Sequence, residues 1–98
     1  PSSYDVDAVK PKWNTAKKDF FIALSEELAA TPDWLSAFIE AAFKQIATEK
    51  NIKPGELQLP LRVMLVGGKF GPPVFEIAEV LGREETIRRI KSALPAFE

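Results

Sequence analysis

The sequence predicts an all-α fold, a compact bundle or helical cage of about five helices with a short Gly/Pro loop at residues 67–73. Three observations predict it. Apolar residues recur at helical spacing along most of the chain, and each such run is bounded by Pro, Gly, Asn or a capping side chain. The only strand candidate is one isolated segment, which has no partner to pair with. At 98 residues, 46% hydrophobic and 28% charged, the chain is long enough for one unaided core and too short for a second domain.

Residues 1–12 hold Pro1, Pro11, paired serines and alternating lysines with little apolar periodicity, so an extended lead-in is expected there and a helical domain over residues 13–98. A chain that begins at Pro1 is read as a processed chain or a piece of a longer protein, the second being favoured. From Trp13 to Ala30, Ala16, Phe20, Leu24 and Leu28 recur every four residues with Phe21 beside them, which predicts the first helix. Thr31-Pro32-Asp33 reads as a restart: Thr as cap, Pro at the first helical position and Asp at the positive end of the dipole. The second helix then carries Trp34, Leu35, Phe38, Ile39, Ala42, Phe43, Ile46 and Ala47 as one apolar stripe and stops near Asn51, a residue that tolerates left-handed backbone.

Lys53-Pro54-Gly55-Glu56 opens a first helical turn that Pro60 interrupts, and Leu61–Val66 reads equally as a short buried strand or the end of a kinked helix. Gly67–Pro73 is a loop by composition. Val74, Phe75, Ile77, Ala78 and Leu81 predict a short amphipathic helix stopped by Gly82, and Ile87, Ile90 and Leu94 the stripe of a last helix over Arg83–Leu94.

The chain has no Cys and no His, which removes disulfides, thiolate zinc sites, Ser-His and Cys-His dyads and imidazole acid-base chemistry. No metal site and no catalytic residue are expected. Apolar runs of only a few residues and an N-terminus without a secretory pattern give no expectation of a membrane partner, and a cytoplasmic location is expected. A net charge of -1 argues against a polybasic protein that holds nucleic acid by charge alone.

Within that frame a few residues ask for a role. The glycines and Lys69 of the 67–73 loop suit an anion, yet a phosphate-binding P-loop needs G-x-x-x-x-G-K followed by Ser or Thr, and Lys69 is followed by Phe70. A structural turn or a loop presenting backbone groups to a partner fits better. Phe70 either plugs the end of the bundle or is exposed for contact. Trp13 and Trp34 suit base stacking but fit core packing better. Arg88 and Arg89 suit an RNA backbone, though Glu84 and Glu85 stand close enough on the same helix to pair with them. Arg62 has no such neighbour. It lies in an apolar run and must reach a carboxylate, a helix end or a ligand, because an unpaired buried charge is costly. Around it, from Lys50 to Lys69, four basic residues face one acid, Glu56, a modest positive stripe beside the loop.

Pro60-Leu61-Arg62-Val63-Met64-Leu65-Val66-Gly67, then Gly71-Pro72-Pro73-Val74-Phe75-Glu76, then Leu81-Gly82-Arg83-Glu84 with Arg88-Arg89-Ile90 resemble, in order and spacing, the C-terminal anticodon-binding region of bacterial-type glutamyl-tRNA synthetases. Trp34, Phe38, Phe43 and Lys44 resemble the helix that precedes it there, so the resemblance covers most of residues 13–94. It implies an all-helical cage at the end of a class I synthetase that ligates glutamate to its tRNA with ATP and Mg2+, with Leu61–Val66 helical. It implies an anticodon site at Arg62, Gly71, Pro72, Pro73 and Val74. Lys53, Lys69 and Arg89 are the candidates for contact with the tRNA backbone. Val66 stands where many relatives carry Thr and Met64 where they carry a small residue. Gly71 stands where some carry a side-chain donor, and any contact that a Thr hydroxyl makes in relatives is left here to backbone and apolar groups.

The resemblance further implies two partners, the glutamate tRNA and the remainder of the synthetase chain, and no DNA. ATP and Mg2+ would belong to that remainder: signatures resembling "HIGH" and "KMSKS" are absent, and without His the first is impossible. The isolated chain is therefore expected to hold no cofactor and to be inactive as an enzyme. The alternative is a small helical protein-interaction module without tRNA binding, its aromatic residues lining a groove for partner helices.

Overall fold

The computed structural model describes residues 3–98 and forms six α-helices and no strand among them: α1 (Val6–Val9), α2 (Thr15–Ala29), α3 (Ser36–Glu49), α4 (Gln58–Val66), α5 (Val74–Leu81) and α6 (Arg83–Ala93). Single 3-10 turns follow α1, precede α4 and close the chain after α6. Because α1 is one turn long, the expected bundle of about five helices is the architecture observed. The lead-in differs from its extended expectation. Val6–Val9 and Lys10–Lys12 are helical turns, and Val9 is buried in the core. Tyr4 meets Phe97 edge to face at 6.2 Å, and the Asp5 amide donates to the Gly67 carbonyl at 2.8 Å. Burying those side chains repays the entropy of ordering a segment whose sequence has no helical stripe. The expectations for Pro1 and Ser2 lie outside the described residues.

Helix α2 packs on α3 and α6, α3 on α5, and α4 on α5 and α6. Their shared core is a relay of aromatic rings, Phe20 to Phe43 at 5.2 Å and Phe43 to Phe75 at 5.1 Å, each pair edge to face as ring quadrupoles prefer. Asn14 starts α2 by accepting from the Lys17 amide at 2.9 Å, so Trp13 precedes the helix and packs on Phe21 and Phe97. The buried face of α2 is Lys17, Phe20, Phe21, Leu24, Ser25 and Leu28, while Ala16 is exposed. Lys17 takes the inward position because its ammonium donates to the Lys12 carbonyl at 2.7 Å, which lets the aliphatic stem lie inside.

Thr31-Pro32-Asp33 does not restart the helix. The Thr31 hydroxyl turns back to donate to the Glu27 carbonyl of α2 at 2.9 Å, and α3 begins only at Ser36, whose amide donates to the Glu79 carboxylate at 2.6 Å. That later start leaves Leu35 outside the helix and Phe38 in its first turn, where Phe38 is 48% exposed, while Ile39, Ala42, Phe43, Ile46 and Ala47 form the buried stripe. Asn51 ends this region in left-handed backbone (φ 57), as its side chain predicts. Leu61–Val66 is helix. Pro60 is the third residue of α4, inside the first turn, where no backbone donor is needed and proline costs little.

Candidate nucleic-acid interface

Helix α4 ends at Gly67, whose left-handed backbone (φ 85) lets its amide close on the Val63 carbonyl at 2.8 Å. The loop to Pro73 then folds back along α4. Arg62, half-buried on that helix, donates from Nη1 to the Pro72 carbonyl. Gly71 lies beneath this contact: a Cβ there would sit 3.3 Å from Arg62 Nη1, and φ is 154. A side chain there would press on the guanidinium and strain the backbone, so glycine favours the close approach of the two. Pro73 hands the chain to α5, its carbonyl accepting from the Glu76 and Ile77 amides.

The site residues named from sequence do not all share one surface. Gly71, Pro72 and Pro73 are exposed beside Arg62, whereas Val74 is 2% exposed and anchors the turn in the core. Lys69 projects from the same loop, with its ammonium 5.7 Å from the centre of the Phe70 ring. Phe70 is 82% exposed, which resolves its two readings in favour of exposure. Lys53 is exposed elsewhere, on a depression formed with Thr48, Asn51, Ile52 and Glu56. Arg89 points inward: Nε donates to Glu85 and Nη1 to the Leu65 carbonyl, each at 2.6 Å. Trp34 is occupied too, with Nε1 donating to the Ala78 carbonyl at 3.0 Å and its ring under the Arg83 guanidinium.

Among the described residues no carboxylate pairs with Arg62. Its contact is a neutral carbonyl, so its charge and its remaining N–H donors stay available at the edge of the loop. Next to it runs an apolar groove lined by Val66, Pro72, Glu76, Ile77, Val80 and Leu81. Val80, 86% exposed, is the wall residue that sequence reasoning misses. The available signal is its position off the buried Val74, Phe75 and Ala78 face of α5. A guanidinium over a glycine turn beside an apolar groove suits a planar, hydrogen-bonding ring better than a run of phosphates. Among the described residues no group of His, Cys, Asp and Glu is arranged to hold a metal, and no helix is long and apolar enough to cross a membrane.

The family model described as the anticodon binding domain matches residues 1–94. A glutamate–tRNA ligase of Geobacter sulfurreducens is 38% identical over 96 residues, which is 98% of this chain and 21% of that protein. One of Chlorobium phaeovibrioides is 36% identical over 94 residues, 96% of this chain and 18% of that protein. The crystal structure of a glutamate tRNA ligase from Elizabethkingia meningosepticum in complex with its amino acid superposes with a TM-score of 0.88 and 32% identity, over 100% of this chain and 19% of that one. The chain thus spans about a fifth of the length of the relatives it matches. With its fold and nearly its whole length matched, the chain belongs to the anticodon binding domain family.

Proposed function

We propose that this chain is the part of a glutamate–tRNA ligase that reads the anticodon of the glutamate tRNA, in the cytoplasm, and that the rest of the enzyme ligates glutamate with ATP and Mg2+. The observation that carries the reading is Arg62 set over the Gly71–Pro73 turn without an acidic partner. Unstacked anticodon bases present hydrogen-bonding edges and flat faces, and an arginine fork beside a glycine turn and an apolar groove is matched to both. Arg62 supplies donors to a base edge. Gly71, Pro72 and Pro73 let backbone and ring atoms come close, while Val74 holds the turn from inside. Lys69, exposed on the same loop, and Lys53, exposed elsewhere, supply positive charge for phosphates in this reading.

A net charge of -1 fits this division of labour, since phosphate contacts position an RNA and base contacts specify it. The bulk of the tRNA affinity then comes from other domains, and the isolated chain binds weakly. The test is a titration of labelled glutamate tRNA against the same tRNA with an altered anticodon. Preference for the cognate anticodon supports the reading; equal binding of the two overturns it in favour of a helical interaction module. Release of pyrophosphate from ATP by this chain in the presence of glutamate and tRNA overturns the assignment of catalysis to the rest of the enzyme.

A further inference from the structure

Arg89 and Arg88 share one carboxylate but face different ways. Arg88 has 62% of its side chain exposed and stays on the surface of α6, whereas Arg89, at 24%, crosses to α4. There its Nη1 donates to the carbonyl of Leu65, the next-to-last residue of α4, while Glu85 holds Nε. The last carbonyls of a helix have no partner within it, and here Gly67 turns the chain away before another turn of helix can form. A guanidinium at that point supplies the missing donor and offsets the negative end of the helix. The same corner is held from the opposite side of the chain by the Asp5 amide on the Gly67 carbonyl.

We infer that Arg89 is a positioning residue of the anticodon site. Oriented by Glu85, it fixes where α4 ends, and therefore where Arg62, one turn earlier, and the Gly67–Pro73 loop stand; it does not contact RNA phosphate. The inference rests on the anticodon reading above. A phosphate contact would need an outward guanidinium, whereas this one has 24% of its side chain exposed and is held through Nε and Nη1 by the protein's own acceptors.

The test measures binding of glutamate tRNA and its anticodon-altered counterpart to the chain and to its Arg89→Lys, Arg89→Gln and Glu85→Gln variants over a range of KCl concentrations. Lysine keeps the charge but cannot hold Glu85 and the Leu65 carbonyl in one plane. Positioning predicts that Arg89→Lys and Glu85→Gln each lower the cognate preference several-fold while the dependence of affinity on salt stays unchanged. A phosphate contact predicts the reverse. Arg89→Gln would then flatten the slope of log affinity against log salt by about 0.7 to 1. Arg89→Lys would bind like the parent, and Glu85→Gln, one negative charge fewer, would bind both tRNAs more tightly. Either that pattern or variants indistinguishable from the parent overturns the inference. Circular dichroism checks folding; if Arg89→Gln fails to fold, the other two variants still decide. A parent chain without anticodon preference overturns the anticodon reading, and the inference with it, before any variant is measured.

Discussion

Arg62 Nη1 lies 3.3 Å from the point where a Cβ on Gly71 would stand, and it donates to the carbonyl of the next residue, Pro72. This closeness ties the cation on α4 to the turn before α5, so the two respond together to substitution. Arg62→Ala removes both the donors and the tie, and is expected to cost about 1 to 3 kcal/mol of cognate anticodon binding and to relax discrimination at one base. Arg62→Lys keeps the charge without the planar fork and should not restore discrimination. Titrations with cognate and altered tRNA read both effects, and equal losses for the two tRNAs would sink the assignment.

Gly71→Ala tests the same closeness from the other side. The new methyl meets a flexible guanidinium tip, which can yield by a few tenths of an ångström, but the positive φ of 154 strains any side chain. The expected cost is on the order of 1 kcal/mol of stability. It comes with a fall in cognate preference, because Arg62 is the group that moves. A variant that loses stability and keeps full preference would show the tie to be structural only.

The parts of this fold that were legible in the sequence are those whose chemistry is local. Asn51, Gly67 and Gly82 stop helices because of backbone freedom carried by the residue itself. Thr31 was not legible as a non-cap. Its hydroxyl chooses the Glu27 carbonyl, and the carbonyls of Thr31 and Pro32 are held by Arg83, about fifty residues away in the chain. Leu61–Val66 stayed ambiguous because a short apolar run has no period to read. Arg62 stood out as a cation among apolar neighbours, but its acceptor did not, since the Pro72 carbonyl is backbone and leaves no mark in composition. For Arg89 the pairing with Glu85 is legible from their spacing on one helix, but its second acceptor, the Leu65 carbonyl, is not, for the same reason.

Glu85 makes acid stability depend on one carboxylate. Hydrogen bonds from Arg88, then Arg89, hold its pKa down to about 2 from an ordinary 4.5. A depressed carboxylate stabilises the folded chain fully above pH 4.5 and loses that contribution as pH falls toward 2. Glu85→Gln is therefore expected to be less stable than the parent at neutral pH, with the gap closing between pH 4.5 and 2. Urea midpoints across that range measure it. Because the pair is partly exposed, added salt should narrow the gap at neutral pH. A gap that stays constant with pH would mean that Glu85 acts by packing rather than charge.

Trp34 predicts an asymmetry around a single backbone oxygen. The Ala78 carbonyl accepts from the Gly82 amide at 3.1 Å, from Trp34 Nε1 at 3.0 Å and from the Thr86 hydroxyl at 3.2 Å. Removing one donor leaves the acceptor satisfied, so Thr86→Val, which keeps the shape of a fully buried side chain, should cost less than about 1 kcal/mol. Trp34→Phe loses more than its hydrogen bond. The Arg83 guanidinium lies 5.4 Å from the Trp34 ring, and that arginine holds the carbonyls of Thr31 and Pro32 in the α2–α3 connection. A smaller ring weakens the stacking that keeps it there, giving an expected total of about 1 to 2 kcal/mol. Urea unfolding followed by circular dichroism ranks the two variants. If Thr86→Val proves the costlier, the hydroxyl rather than the indole is the donor that closes the junction between the α2–α3 connection, α5 and α6.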